Sequence, residues 1–168
     1  MIFNLPFFSA NRKMHFYILI LLVICMAGSC SDGKPDRLAR DAYLSLKKIE
    51  VKAETGVNYR DYCQAVSDAK CAVNIFMESD KNKDMPIKHS ISKIMEQYIF
   101  ATLIWSNRIK NKYYYISSSS SQDKALFNKI AKLYPKIVDG GFINLERAML
   151  LLWADASLEL NKLAEIFK

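Results

Sequence analysis

The residues of this 168-residue chain best suited to nucleophilic or metal chemistry are four cysteines and two histidines. Their placement supports neither. His15 lies in an apolar N-terminal segment, which leaves His89 as the single histidine of the remainder. No histidine pair and no cysteine spacing describes a metal site, and His89 near a helix start reads as a solvated residue. A glycine-rich phosphate loop after a strand and a G-x-S-x-G elbow are both missing. No catalytic residue, cofactor or metal ligand is therefore expected. Two polar features remain. Asp155, within Leu150-Leu151-Leu152-Trp153-Ala154-Asp155-Ala156, falls beside an apolar stripe, so if buried it needs a partner. A tyrosine or lysine of a neighbouring helix is the expected one, and a polar group in a pocket is the functional alternative. Tyr113, Tyr114 and Tyr115 are consecutive, so their rings cannot all face one core. At least one is expected to be exposed, as a contact for a partner or for a membrane interface.

The first thirty residues carry a different kind of chemistry. Met14 to Ala27 is an apolar run of about 14 residues, shorter than the roughly 20 that a membrane-spanning helix needs. Arg12 and Lys13 precede it, the small residues Ala27, Gly28 and Ser29 follow, and no acid occurs before Asp32. This is the three-part layout of a secretory signal. With Cys30 directly after the small residues, the segment resembles the lipobox-type signal peptide of bacterial lipoprotein precursors. That resemblance implies cleavage before Cys30, with acyl chains on its sulfur and a lipid bilayer as its partner. It divides the chain into a signal peptide over 1–29, a short lipidated tether over 30–35 and a domain over 36–168. It also places the domain in the bacterial cell envelope, on the extracytoplasmic side of a membrane. Each buried methylene contributes roughly 0.8 kcal/mol and one chain alone binds marginally; several chains on one cysteine hold permanently. Only Ser31 to Lys34 separate Cys30 from Pro35. At no more than about 3.6 Å per residue, that keeps the domain within roughly 20 Å of the lipid surface.

Composition is that of one compact domain after the leader, since domains commonly run about 100–150 residues. The formal charge of +7 falls to +5 once Arg12 and Lys13 leave, and lysines scattered over exposed helix faces account for most of it. Nucleic acid is not an expected partner of an exported chain; anionic headgroups or envelope polymers suit a mild positive charge better.

Apolar residues recur at helical rather than alternating spacing, and the fold expected is all-α: a single antiparallel bundle of about five helices. The first runs from about Asp36 to Glu54 with a stripe of Leu38, Ala42, Leu46, Ile49 and Ala53, and Gly56 stops it. Asn58 caps the second, with Asp61 three residues on and Val57 and Tyr62 as a staple. That helix runs to about Ser79 on Tyr59, Tyr62, Val66, Ala69, Val73 and Phe76. After a polar turn over Asp80 to Pro86, the third occupies about Ile87 to Lys112 on Ile87, Ile91, Ile94, Tyr98, Ala101 and Trp105. The three tyrosines and the serines from Ser117 to Ser121 read as a loop with a flexible stretch of no fixed conformation. Leu126, Ile130 and Leu133 mark a fourth helix that Pro135 ends or kinks. Asp139-Gly140-Gly141 makes a turn, and Asn144, with Ile143 before it, caps a last helix from Leu145 to Phe167. Its stripe includes Met149, Leu152, Ala156, Leu160 and Leu163.

Cys63 and Cys71 both fall on the second helix, eight residues apart. That is about 12 Å along the axis, whereas a disulfide needs α-carbons closer than about 7 Å, so no intrachain bridge is expected. The reading that results is a membrane-anchored envelope lipoprotein acting as a non-catalytic interaction or structural protein, with an envelope protein as its partner. A carrier holding a small apolar ligand between helices is the alternative.

Overall fold

The structure is a computed structural model and describes residues 37–79 and 85–168. The leader, Cys30 and the tether lie outside the described residues, as do Asp36 and most of the turn after Ser79. The order of elements is α1 (Arg37–Thr55), α2 (Tyr59–Glu78), α3 (Met85–Asn111), β1 (Tyr115–Ser117), α4 (Lys124–Leu133), a 3-10 turn (Pro135–Ile137), β2 (Val138–Asp139), β3 (Phe142–Asn144) and α5 (Leu145–Ala164). The fold is a mainly all-α helical bundle.

Four of the five helices form that bundle. Their principal contacts run α1 to α2, α2 to α3, α3 to α5 and α5 back to α1. Neighbours in this ring are antiparallel: Lys93 meets Glu159 while Arg108 meets Glu146, and Tyr43 near the start of α1 stacks on Phe167 just past α5. The seams are those the spacing predicts. Leu46, Ile49, Tyr62, Phe76, Ile91, Ile94, Tyr98, Ala101, Ala156 and Leu160 are fully buried. Burying one such aliphatic or aromatic side chain contributes about 1.5–3 kcal/mol, whereas an exposed ion pair contributes under about 1 kcal/mol. The apolar seams, and not the salt bridges, hold the bundle together.

Local signals act where the chain carries them. The Asn58 side chain accepts from the Asp61 amide, and the Asn144 side chain accepts from the Arg147 amide, both at 2.9 Å. Gly56 ends α1 at φ 80°, a conformation that costs a residue with a Cβ. Pro86 sits in the first turn of α3, where its missing N–H removes no helical bond, so α3 starts two residues before the sequence reading. Pro135 ends α4 and opens the 3-10 turn. Cys63 is half-buried, Cys71 is exposed, and both are free thiols.

Two expectations are corrected. The stretch after α3 is ordered, not a flexible loop. Tyr115–Ser117 pairs antiparallel with Phe142–Asn144, which also pairs with β2, giving a sheet of order β1-β3-β2. The serines are held by one long-range and one local bond: the Ser118 amide donates to the Gly141 carbonyl at 2.9 Å, and the Ser120 hydroxyl donates to Asp123 at 2.9 Å. A strand of three residues is too short for its alternation to stand out in sequence. In α4 the buried pair is Phe127 and Ile130 while Leu133 is exposed, because Tyr134, four residues past Ile130, packs on the core in place of Leu133.

β2 and β3 are joined by Gly140 and Gly141 alone, with φ of 53° and 82°, the backbone of a type I′ turn. A Cβ on Gly141 would lie 3.1 Å from the Ser118 hydroxyl. Gly141→Ala is therefore expected to cost about 1–2 kcal/mol, measured by chemical denaturation, whereas Gly140→Ala meets no neighbour and costs less. Glu159 accepts from Lys93 and Lys162, and these cations hold its carboxyl below the ordinary 4.5. A depressed folded pKa contributes stability above the unfolded value and loses it as pH falls through the folded one. Glu159→Gln should cost about 0.5 kcal/mol at pH 7, and the difference should vanish in melts taken well below pH 4.5.

Candidate functional site

The residues that sequence reading singled out are distributed rather than gathered. Tyr113 is half-buried and donates its hydroxyl to Asp123 at 2.9 Å, which anchors the crossover between α3 and α5. Tyr114 and Tyr115 are exposed. The Arg108 guanidinium lies 4.5 Å from the Tyr114 ring centroid, within cation–π range. Asp155 is half-buried and accepts from the Tyr134 hydroxyl at 2.7 Å. Burial, and then the carboxylate, push the Tyr134 hydroxyl pKa up, so it remains a donor. The pair ties the end of α4 to α5. His89 is exposed. Among the described residues no three His, Cys, Asp or Glu side chains converge as a metal site, and no helix is long and apolar enough to cross a membrane.

Register builds the first surface feature. In β1 and β3, Ile116 and Ile143 pair and point into the core. Successive side chains alternate faces, so Tyr115 and Phe142 must share the outer one. They are 58% and 52% exposed, and Leu150 on the adjoining turn of α5 is 54% exposed. These three, with Ile137, Asp139, Asn144, Glu146 and Arg147, line a groove of about 590 Å³. The groove sits where α3 ends and α5 begins. α1 starts at the opposite end of the bundle, beside the C-terminus of α5, as the Tyr43–Phe167 stack marks.

A second feature lies between helices, and sequence reading missed it. Glu50 is only 4% exposed. One of its oxygens accepts from the Ser157 hydroxyl of α5 at 2.5 Å, and Lys47, one turn earlier on α1, pairs with the other. That carboxylate is the first cause of a raised Lys47 pKa. Glu50, Ala53 and Glu54 of α1, Tyr98 of α3, and Leu150, Trp153, Ala154 and Ser157 of α5 enclose a pocket of about 380 Å³. Tyr98 is fully buried, yet its hydroxyl has no hydrogen-bond partner among the described residues. Burial, then Glu50, push its pKa far up, so the hydroxyl keeps its proton. The pocket wall is set by Tyr62, whose buried hydroxyl accepts from Trp153 Nε1 at 2.8 Å and donates to the Tyr98 carbonyl at 3.4 Å. Trp105 packs on both Tyr62 and Trp153 with ring centroids 5.5 and 5.9 Å away.

One signal for this pocket existed in the sequence. Glu50 lies about 40° from Leu46 around a 3.6-residue helix, beside the apolar stripe, as Asp155 does on α5. Tyr98 gave none, because a core tyrosine reads the same whether its hydroxyl is satisfied or not. Comparison with protein-family models, with curated proteins and with solved structures gave no match.

The two buried tyrosines should respond oppositely to loss of the hydroxyl. Tyr62→Phe strips Trp153 Nε1 of its acceptor and should destabilise the fold by about 1–2 kcal/mol. Tyr98→Phe removes an unpartnered polar atom and should stabilise by about 1 kcal/mol. Urea midpoints of the two variants against the parent chain measure both.

Proposed function

We propose that this chain is a lipid-anchored protein of the bacterial cell envelope that works by binding another envelope protein, without catalysis. The anchor is acylated Cys30, supported by the Arg12-Lys13, apolar and small-residue order of the leader. The observation that carries the binding role is the exposed Tyr115, Phe142 and Leu150 surface with its groove. Aromatic residues ringed by polar groups are the composition of protein-binding patches, and Arg108, Glu146 and Arg147 supply the polar rim. Geometry favours a protein over the bilayer for this patch. The tether enters at α1, a helix of 19 residues or about 28 Å, and the patch is at its far end.

A second reading, carriage of a small ligand, is supported by the pocket between α1, α3 and α5. It takes a molecule into the bundle and leaves Tyr115 and Phe142 of the outer patch unused.

Three measurements test the first reading. Metabolic labelling with an alkyne fatty acid should mark the parent chain and not Cys30→Ala; equal labelling of both would remove the anchor assignment. A photocrosslinker at Tyr115 should capture a discrete protein in cells, while the same probe at Lys70 on α2 should not. Phe142→Asp should abolish capture with an unchanged melt, and capture of lipid alone at position 115 would assign the patch to the membrane instead.

A further inference from the structure

We infer that the pocket between α1, α3 and α5 binds a small organic cation, an alkylammonium whose N–H groups meet Glu50, Glu54 and the Tyr98 hydroxyl while its carbon chain lies on Ala53, Leu150 and Trp153. The inference rests on the ligand-carrier reading and replaces a wholly apolar occupant by a charged one.

Charge makes the first argument. Two carboxylates line the pocket and no cation does; Lys47 pairs with Glu50 from outside the lining. Glu54, exposed at the rim, is in no salt bridge among the described residues. One negative charge is therefore uncompensated, which repels an anion and attracts a cation. Unmet hydrogen bonding makes the second. Each carboxylate oxygen of Glu50 has acceptor capacity beyond its single contact, and the Tyr98 hydroxyl has no hydrogen-bond partner among the described residues. Buried polar atoms of this kind are costly unless paired. An apolar guest would leave them unmet, whereas an ammonium has three N–H donors to give.

The remaining wall suits the other end of such a molecule. Trp153 has its indole N–H committed to Tyr62, so it offers ring rather than donor, and an aromatic ring attracts a nearby cation. Ala53, Leu150 and Ala154 add apolar surface. The volume of about 380 Å³ falls at the lower end of the range for small-molecule sites, so the guest is compact.

The test titrates n-butylammonium, n-butanol and n-butyrate, equal in chain length, into the full chain in a neutral detergent. Calorimetry and tryptophan fluorescence report binding. Saturable binding of butylammonium is expected, with no binding of butanol or butyrate. Glu50→Gln, which keeps an acceptor for Ser157, should weaken it by about tenfold or more. Ala154→Trp, at an exposed position of the lining, should fill the pocket and abolish it. Should Glu50→Gln fail to fold, Tyr98→Phe takes its place and is expected to weaken binding about threefold, on the order of one lost neutral hydrogen bond. Butanol binding as well as butylammonium would overturn the cation and leave an apolar carrier. No saturable binding of any of the three would overturn the carrier and the cation together. Butylammonium binding unchanged in Ala154→Trp would place it outside this pocket and overturn the inference.

Discussion

The Tyr62 hydroxyl is the interaction on which the rest of the bundle's interior depends. It sits on α2, accepts from Trp153 of α5 and donates to the Tyr98 carbonyl of α3. One polar atom thereby sets the register of three helices. Apolar seams set register through the fit of large and small side chains, and a directional polar contact between helices narrows it further. The Trp153 N–H, on a half-buried ring, meets the one buried hydroxyl of Tyr62, and a slip would separate them. Where Trp153 and Tyr98 stand, and so where the interhelical pocket opens, follows from that bond.

The same economy shapes the crossover between α3 and α5. A four-helix ring needs only a return connection there, yet this chain inserts a short helix and a three-stranded sheet. Asp123 collects the Tyr113 and Ser120 hydroxyls, Tyr134 reaches Asp155, and the Leu145 amide that starts α5 donates to the Tyr114 carbonyl at 2.8 Å. These bonds act beside the buried Ile116, Phe127, Ile130, Ile137 and Ile143, which seat the segment on the core. The sheet that results has one buried face and one outward face, and the outward face carries the aromatics proposed to meet a partner.

The two binding features proposed for the bundle adjoin one another. The interhelical pocket and the aromatic groove are lined by different residues apart from Leu150, which borders both.

The helical seams were legible from sequence because periodicity near 3.6 repeats over 19 to 27 residues in α1, α2 and α3, and that much repetition overrides local ambiguity. Asn58, Asn144, Gly56 and Pro135 were legible because each acts on its own backbone neighbours. Leu133 and the serine stretch misled for the converse reason: three-residue strands and the turn of Tyr134 toward Asp155 depend on partners 20 or more residues away. The sequence alone determined the bundle, the capping signals and, through the order of charges and small residues before Cys30, the expectation of an anchor. Only the tertiary structure decided that Glu50 is buried, that Tyr98 has a hydroxyl without a partner, and that Tyr115, Phe142 and Leu150 adjoin. Burial and satisfaction are properties of what surrounds a side chain, and the surroundings come from other helices.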